Sequence, residues 1–372
     1  MRVLHVHSGN LYGGVETFLI TMARCRHLAP SMEMFVALCF EGRIAEELRA
    51  ERVPTPMLGE VRLRRPDTVW RARQALEAVL QREHADLVVC HQAWPLAIFG
   101  PVVKAAALPL VSWVHMDQSG RHWLERLASR VHPDLIICNS RFTASSLPAH
   151  RSRVESIHCP AMPIDRRVLR PRAGVRKELQ TDPDDVVIIQ VSRMEPLKGQ
   201  AVCIDALAFL RDRPNWICWQ VGGAQRDAET RYLDSLRGAA ERLGVLNRIR
   251  FVGQRSDVPD LLAAADIFCQ PNLQPEAFGL SFIEALSARL PVVTSDIGGA
   301  LEIIDDTCGI LTPPGNAQAL AAALMLLVDD RGERERLGNS GPGRAHALCD
   351  PPTQMTRIAE TLEAVSCHHP VH

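Results

Sequence analysis

Short runs of apolar and β-branched residues alternate with longer segments along the whole chain. Most of the runs are apolar at successive positions, which is typical of strands buried on both faces of a parallel sheet. The segments between them are long enough for crossover helices. The runs form two sets of six, at 3–7, 34–40, 86–91, 110–115, 134–139 and 154–159, and at 186–191, 217–221, 249–252, 266–269, 291–294 and 309–311. The pattern predicts two doubly wound α/β domains.

A Pro- and Arg-rich stretch at 160–183 separates the two sets and is the predicted linker. A chain of 372 residues is also too long for one ordinary core. We therefore predict an N-terminal domain at 1–165, a C-terminal domain at 175–345, and a helix and tail at 346–372 that can cross back to the first domain. Because ligands of such sheets bind beyond the carboxyl ends of the strands, we expect the domains to face a central cleft.

Helical periodicity in the second half places helices between the strands. The predicted ranges are 200–210, 228–243, 259–264, 280–288 and 317–328. The tail from 331 to about 364 is also helical, and Gly and Pro near 341–343 and 351–352 predict two breaks in it.

The charge of the chain is distributed unevenly. Its net charge of −1 argues against a nucleic-acid partner. Residues 1–172 carry 23 Arg and Lys against 16 Asp and Glu, a net charge of +7, and the remainder carries −8. Two interpretations stay open: a first domain that meets an anionic acceptor or an anionic membrane face, or the solvated surface of an Arg-rich protein.

The cysteines and the absence of a targeting signal indicate a reducing compartment. The chain has 11 Cys without a C-x-x-C pair. Cys90, Cys138 and Cys269 lie in apolar runs and are predicted to be buried free thiols. The longest apolar tract, 97–114, is interrupted by Lys and Pro and reads as a helix and a strand. We expect a cytoplasmic protein, with peripheral contact to the inner face of a membrane left open.

Two carboxylates, Glu276 and Glu284, flank a Phe-Gly pair that should open a helix. Seven residues lie between them, so they are eight positions apart, close to two helical turns, and both could face one side. The expected free donors of the first turn, which attract phosphate or sugar oxygens, are the amides of Phe278, Gly279, Leu280 and Ser281. Two acids beside an anion-binding helix end suit a nucleotide sugar. The alternative is an amphipathic helix whose acids cap it or face solvent.

Two cations follow the first strand of the second half. Arg193 and Lys198 lie on one strand-to-helix loop, and Lys198 is one of only three lysines in the chain. Two cations near helix amides suit a diphosphate.

The first half offers candidates at two strand ends. Gly13 and Gly14 follow the first strand and permit close approach of the backbone to a ligand, although an ordinary strand-to-helix turn explains them equally. The dinucleotide pattern G-x-G-x-x-G is absent. His115 ends the strand at 110–115, where ligand-lining residues fall, yet a lone histidine there is more often structural. Asp117 is a candidate base or a helix cap.

These motifs together resemble the retaining glycosyltransferases of family four, which have the GT-B fold of two Rossmann-like domains. The carrying residues are Gly13-Gly14, His115, Arg193 with Lys198-Gly199, Val221-Gly222-Gly223, Glu276-x-Phe278-Gly279-Leu280 through Glu284, and the run 290–299. The resemblance is strongest over 186–313. It implies transfer of a hexose from a nucleotide-diphosphate sugar to a glycan or lipid-linked acceptor, with retention of configuration and without a metal or other cofactor.

The resemblance also implies a role for each matching residue. Arg193 and Lys198 would bind the diphosphate and stabilise it as leaving group. Glu284 would hold the ribose hydroxyls. Glu276, with the amides of residues 278–280, would hold the hydroxyls of the transferred sugar. Gly13 and Gly14 would approach the diphosphate and His115 the reacting carbon.

Other positions depart from the family or lack an assignment. The family usually has Gly where this chain has Arg289, and that Gly ends a helix in a left-handed turn, so Arg should cost about 1 kcal/mol. Arg255 is a candidate for contact with the base. The acceptor side varies in the family, which leaves His91, Trp94 and Arg121 without a role.

Three other functions remain open. A nucleotide-sugar epimerase would use the same architecture, and so would a sugar phosphorylase, which needs a lysine that carries pyridoxal phosphate. A non-catalytic protein would bind only a nucleotide or a lipid surface.

Overall fold

A computed structural model of the protein describes residues 1–9, 12–118, 120–165 and 167–368, the side chain of residue 368 excepted. The chain forms two compact units. Unit 1 comprises Met1–Met162 together with the chain from Cys349 onwards, and unit 2 comprises Pro163–Leu348.

Each unit contains one parallel six-stranded sheet. The strands of unit 1 are β1 Arg2–His7, β2 Glu33–Leu38, β3 Leu87–His91, β4 Leu110–Val114, β5 Leu135–Cys138 and β6 Arg153–Ser156. Those of unit 2 are β7 Val186–Val191, β8 Trp216–Val221, β9 Ile249–Gly253, β10 Ile267–Gln270, β11 Val292–Ser295 and β12 Gly309–Thr312. All twelve predicted strands are confirmed, each within two residues at its start and three at its end.

Helices connect successive strands, and the last three helices follow the final strand. The helices are α1 Gly14–Cys25, α2 Arg43–Ala50, α3 Pro66–Glu83, α4 Ala93–Ala105, α5 Trp123–Ala128, α6 Arg141–Ser146, α7 Arg172–Glu178, α8 Gln200–Ala208, α9 Asp227–Arg242, α10 Val258–Ala264, α11 Leu280–Ser287, α12 Ala300–Ile303, α13 Ala317–Asp329, α14 Arg331–Cys349 and α15 Pro351–His368. The described residues contain no helix that is both long and apolar enough to cross a membrane.

The strand order of each sheet defines where a ligand can bind. The order is β2-β1-β3-β4-β5-β6 in unit 1 and β12-β11-β10-β7-β8-β9 in unit 2. The order reverses between β1 and β3 in the first sheet and between β7 and β10 in the second. In doubly wound sheets the loops beyond the carboxyl ends of these strands diverge to opposite faces and leave a crevice.

The predicted linker is in part a helix. Residues 160–183 include α7, which packs on unit 2. Its Arg176 is buried and donates to Asp266 Oδ2 at 2.5 Å and to the carbonyl oxygen of Ala264 at 3.1 Å. An Arg-rich composition is therefore compatible with ordered structure here, because a carboxylate and carbonyl oxygens satisfy the buried guanidinium.

The predicted break at 341–343 is wrong, since α14 continues through it. Its glycines serve close packing. A Cβ at Gly338 would lie 2.3 Å from the carbonyl oxygen of Arg289, and one at Gly341 would lie 2.7 Å from that of Leu286. The second predicted break, at Pro351, is confirmed as the start of α15.

The cysteines match their predicted state. Ten of the eleven are buried free thiols, including Cys90, Cys138 and Cys269, and Cys367 is exposed.

Candidate functional site

The loop that follows β7 lies at the crevice of unit 2 and ends at Gly199. Gly199 has φ +71° and caps α8. A Cβ at this position would lie 1.8 Å from the carbonyl oxygen of Pro271, so only glycine fits. This close contact brings Lys198, at the end of the β7 loop, next to the segment that leaves β10.

Lys198 and Glu276 form an ion pair at this point. The distance from Lys198 Nζ to Glu276 Oε2 is 2.6 Å, and the two side chains are 22% and 21% exposed. Asn272 Nδ2 also donates to Glu276 Oε2, at 3.3 Å. Gln190 Nε2 holds the backbone of Lys198 by donating to its carbonyl oxygen at 2.7 Å. The pair is therefore fixed by neighbours on both β7 and the β10 loop.

The helix predicted at 280–288 is confirmed as α11, but the helical spacing of Glu276 and Glu284 does not apply, because Glu276 lies before the helix. Helix α11 begins at Leu280, because Gly279 has φ +109° and its Cβ position lies 2.3 Å from a ring carbon of Phe282. Glu276 belongs to the loop before the helix, where its carbonyl oxygen accepts from the amide of Gly299 at 2.7 Å. Its carboxylate neither caps the helix nor faces open solvent.

The N-terminal end of α11 points into the same loop cluster. Phe282 is the first residue whose amide donates within the helix, to the carbonyl oxygen of Gly279 at 2.9 Å. In the part of the chain that the structure describes, no acceptor faces the amides of Gly279, Leu280 and Ser281. The Ser281 hydroxyl donates to Gln270 Oε1 at 3.5 Å, while Phe278 is buried.

Glu284 is a half-buried carboxyl group on α11. Within the described ranges, no side chain or amide donates to it. Burial raises its pKa to about 7, because a charged carboxylate loses hydration there without gaining a partner. A carboxyl group held in this way is suited to accept hydrogen bonds from a ligand that supplies hydroxyl donors.

Arg193 lies on the same β7 loop as Lys198. Its guanidinium pairs with Glu195 Oε1 at 3.0 Å and its side chain is 39% exposed. Gln200 Nε2 donates to the Arg193 carbonyl oxygen at 2.7 Å, which ties the loop to the start of α8. The loop thus presents two cations, each matched by one carboxylate.

In unit 1, Gly13 and Gly14 stand at the start of α1. Glu16 accepts from the Gly13 amide at 2.9 Å through Oε2 and contacts His7 Nε2 at 2.7 Å through Oε1. Among the described residues, a Cβ at Gly14 would meet nothing within 4 Å. Packing within the unit therefore does not require glycine at 14.

His115 follows β4 and belongs to a chain of three imidazoles. Its Nε2 lies 2.9 Å from His91 Nδ1, and His91 Nε2 lies 2.9 Å from His5 Nδ1. Burial lowers the pKa of both His5 and His115 to about 3, and that of His91 also falls well below its usual value. All three rings are therefore neutral at physiological pH.

Residues without an assignment from the sequence have these positions. His91 is fully buried, Asp117 is exposed, and Trp94 lines a cavity of about 550 Å³ with Val61, Arg62, Leu63, Arg64 and Arg65. Arg255 pairs with Asp257 and Glu178 at 2.6 and 2.7 Å. In the described segments, no three His, Cys, Asp or Glu side chains are grouped as metal ligands.

Several residues of these sites were not found from the sequence. Gln270, the last residue of β10, and Asn272, two residues later, both contact Glu276. Polar residues at the end of a buried strand were the available signal. His5 and His7 alternate with apolar residues in β1, and Glu16 stands three residues after Gly13 as in a capping box.

Two family models match the chain, one for each unit. The model for Glycosyltransferase Family 4 matches residues 12–161, and the model for Glycosyl transferases group 1 matches residues 172–344.

Curated relatives are similar over shorter stretches. A D-inositol 3-phosphate glycosyltransferase of Jonesia denitrificans is 32% identical over 196 residues, which cover 49% of this chain and 46% of the relative. The chain spans about half the length of the first such relatives. A GDP-mannose-dependent alpha-(1-6)-phosphatidylinositol monomannoside mannosyltransferase of Mycolicibacterium smegmatis is 29% identical, over 73% of this chain and 74% of the relative.

A solved structure matches nearly the whole chain. Anabaena Alr3699/HepE in complex with UDP and glucose superposes with a TM-score of 0.86 and 27% identity, covering 98% of this chain and all of the other. The agreement confirms the predicted fold class.

Proposed function

Because the chain belongs to the glycosyltransferases of family four, with a group 1 domain at 172–344, we propose that it transfers a hexose from a nucleotide-diphosphate sugar to a glycan or lipid-linked acceptor. The transfer retains the anomeric configuration and needs no metal. The observation that carries this proposal is the ion pair of Lys198 and Glu276 at the crevice between β7 and β10.

The cations of the β7 loop would bind the diphosphate. Lys198 is held by Glu276, and Arg193 by Glu195, so both are already positioned before an anion arrives. The amides of Gly279, Leu280 and Ser281 add donors that suit phosphate or sugar oxygens. On binding, Lys198 would turn to the phosphate, and Glu276 would accept from hydroxyls of the transferred sugar.

Glu284 would hold the ribose. Its half-buried carboxyl group lacks a donor among the described residues, and two vicinal hydroxyls would supply two. In unit 1, the open space at Gly14 would admit a phosphate close to the backbone, and His115 would contact the sugar near its reacting carbon.

The chemical step then follows from the charges. The bond between the anomeric carbon and the diphosphate oxygen breaks first, and Arg193 and Lys198 stabilise the negative charge that develops on the leaving group. The acceptor hydroxyl forms the new bond on the same face of the sugar. Its proton passes to the leaving phosphate oxygen.

The relatives suggest which donors to test first. HepE was solved with UDP and glucose, and the mycobacterial relative is GDP-mannose-dependent. We therefore propose a UDP- or GDP-linked hexose as donor and a glycan or glycolipid as acceptor.

Thermal unfolding with added ligand tests the donor site. UDP-glucose or GDP-mannose should raise the Tm of the wild-type protein by mass action, without added metal and in the presence of a chelator. Lys198→Ala should abolish the shift, while Lys177→Ala, a change at an exposed lysine, should leave it intact. A shift that persists in Lys198→Ala would contradict the proposed site.

Product analysis tests the reaction against its alternatives. The protein should be incubated with the nucleotide sugar that raises its Tm, with water as the only acceptor. It should slowly release free hexose that has the α-configuration of the donor. Conversion into an epimeric nucleotide sugar would indicate an epimerase instead. Binding without hydrolysis or transfer to any acceptor would indicate a non-catalytic binding protein, and an absorbance band of pyridoxal phosphate would indicate a phosphorylase.

A basic surface of unit 1 supports peripheral contact with anionic lipid. Arg62, Arg64 and Arg65 are exposed around the 550 Å³ cavity together with Leu63, which is 39% exposed. Trp70, on the helix α3 that follows, is 60% exposed. Cations next to exposed apolar side chains are typical of surfaces that rest on an anionic membrane. We propose that this surface brings the enzyme to a lipid-linked acceptor.

Vesicle sedimentation tests this contact. Vesicles with phosphatidylglycerol should bind the protein, and vesicles of phosphatidylcholine alone should not. The triple change Arg62→Ser, Arg64→Ser and Arg65→Ser should abolish binding. The control variant replaces three exposed arginines of unit 2, Arg211, Arg231 and Arg242, and should still bind the vesicles. If both variants lose vesicle binding equally, the binding is not specific to the surface around Arg62, Arg64 and Arg65.

A further inference from the structure

Three histidines of unit 1 form a continuous hydrogen-bonded chain from the core to the surface. His5 and His91 are fully buried, and His115 is half-buried at the end of β4. Both N···N distances are 2.9 Å, from His5 Nδ1 to His91 Nε2 and from His91 Nδ1 to His115 Nε2. The strands β1, β3 and β4 are neighbours in the sheet, where His5 pairs with Val89 and His91 pairs with Trp113. Each histidine therefore lies two residues beyond the direct partner of the preceding one and on the same face of the sheet.

A neutral imidazole has one N–H and one bare nitrogen, which makes the two hydrogen bonds dependent on each other. If His5 donates from Nδ1, then His91 accepts at Nε2, donates from Nδ1, and His115 accepts at Nε2. The proton of His115 is then on Nδ1. If the chain runs the other way, His115 donates from Nε2 and its Nδ1 is bare.

The buried end of the chain decides between the two directions. His5 Nε2 is buried and has no hydrogen-bond partner among the residues that the structure describes. In the first direction this atom is a bare acceptor, and in the second it is an N–H donor. Buried N–H groups without an acceptor are rarer in proteins than buried acceptors without a donor, so the first direction is favoured.

Aromatic side chains surround the row of three histidines and hold it neutral and rigid. The Phe18 ring packs against His91 and His115 with centroids 5.9 and 5.1 Å apart, and Trp113 stacks on His115 at 5.9 Å. His7 lies next to His91, with ring centroids 6.4 Å apart, but makes its own hydrogen bond to Glu16. Among the described residues, no carboxylate is hydrogen-bonded to His5, His91 or His115.

We infer that His5 and His91 are positioning residues that fix His115 in the tautomer with its proton on Nδ1, so that the exposed end of the chain offers a hydrogen-bond donor. His115 Nδ1 has no partner in the segments that the structure describes. The group it recognises must then supply a bare oxygen, such as a hydroxyl lone pair or an oxygen of a sugar-phosphate linkage. That this group belongs to the donor sugar rests on the proposed function.

Nitrogen-15 NMR of the histidine rings tests the tautomer directly. In protein labelled at histidine, two-bond ¹H–¹⁵N spectra distinguish protonated from bare ring nitrogens, and His115→Gln identifies the signals of His115. The expected result at neutral pH is a protonated Nδ1 and a bare Nε2. A protonated Nε2 with a bare Nδ1 would overturn the inference, whatever the activity of the protein.

A pair of changes at the buried end tests the transmission. His5→Leu removes the donor, whereas the amide of His5→Asn can replace Nδ1–H. His115 should exchange between both tautomers in His5→Leu and keep Nδ1–H in His5→Asn. kcat/KM should fall about tenfold in the first variant and recover in the second. An unchanged His115 tautomer in folded His5→Leu would also overturn the inference.

These outcomes separate the inference from the proposed function. If His115 has the expected tautomer but no nucleotide sugar is bound or transferred, the inference stands and the proposed function fails. If transfer occurs while Nε2 of His115 carries the proton, the proposed function stands and the inference fails.

Discussion

Lys198 and Glu276 are 78 positions apart in the chain, yet Lys198 Nζ lies 2.6 Å from Glu276 Oε2. The contact exists because β7 and β10 are neighbours in the sheet although two strands, β8 and β9, intervene in sequence order. Their loops leave the same edge of the sheet. The sheet topology thus places a cation and a carboxylate together where a bound ligand would meet both.

The first prediction concerns the charge of Lys198. Lys198→Ala should lower kcat/KM for transfer by about 100- to 1,000-fold, because the variant lacks a positioned charge for the leaving diphosphate. Steady-state kinetics with the stabilising donor measures the change. Lys177→Ala is the matched control and should retain wild-type kinetics, since its side chain is exposed on α7.

The second prediction concerns stability and Glu284. Burial raises its pKa to about 7 from the ordinary 4.5, so the folded protein binds this proton more tightly than the unfolded chain. The stability that the bound proton of Glu284 contributes to the wild-type protein is therefore lost as the pH rises from 4.5 through 7. Glu284→Gln lacks this titration. Its Tm relative to wild type should increase between about pH 5 and pH 8.

The control for this effect is an exposed carboxylate. Glu241→Gln on α9 changes the same charge without burial, and its Tm difference from wild type should stay nearly constant over the same pH range. If both variants gain stability equally with pH, net charge and not the burial of Glu284 causes the effect.

The third prediction concerns nucleotide affinity at the same residue. Ribose hydroxyls donate most strongly to the ionised carboxylate, so binding should be accompanied by proton release near pH 7. The Kd of the nucleotide should fall as the pH rises from about 6 to about 8. Calorimetry in buffers of different ionisation enthalpy measures the released proton. In Glu284→Gln the affinity should be lower and this proton release absent.

The regular part of the fold was predictable because its signal is local. Buried parallel strands are apolar at successive positions, and all twelve were located from that pattern. The wrong predictions of loops and helix breaks occur where contacts between distant residues determine the local structure. Arg176 is ordered by Asp266, which lies 90 positions away, and the glycines of α14 pack against the end of α11. Neither contact can be recognised from neighbouring residues in the sequence.

The candidate site shows the same division. Lys198 and Glu276 were named from motifs, but their contact depends on the strand order of the sheet. Helix α11 begins at Leu280 as predicted, so Glu276 lies outside it and the helical spacing of the two acids does not determine their positions. The hydrogen bonds of His115 to His91 and on to His5 join three strands that sequence analysis treats separately.

The fourth prediction concerns Gly14. The Cβ of alanine at this position meets nothing within 4 Å in the described part of unit 1, and residue 14 begins helix α1. Gly14→Ala should therefore keep or raise stability, by about 0.5 kcal/mol, while donor affinity falls because the methyl group would obstruct the phosphate. Gly343→Ala is the matched control. Its Cβ also meets nothing within 4 Å, and it should add stability without a change in affinity.

The fifth prediction concerns the end of α11, where Arg289 has φ +66°. The left-handed conformation expected at this position is confirmed, and Arg289 adopts it where the family usually has glycine. Arg289→Gly should stabilise unit 2 by about 1 kcal/mol, because glycine adopts positive φ without strain. The lost hydrogen bond from Arg289 to Asn339, 3.3 Å long and exposed, offsets little of this gain.

Urea unfolding followed by the fluorescence of Trp216 and Trp219, both buried in unit 2, measures the change. Arg289→Ala lacks the same hydrogen bond but retains the strain, so it should be no more stable than wild type; a gain equal to that of glycine would mean that the side chain, and not the backbone, is the source of the cost.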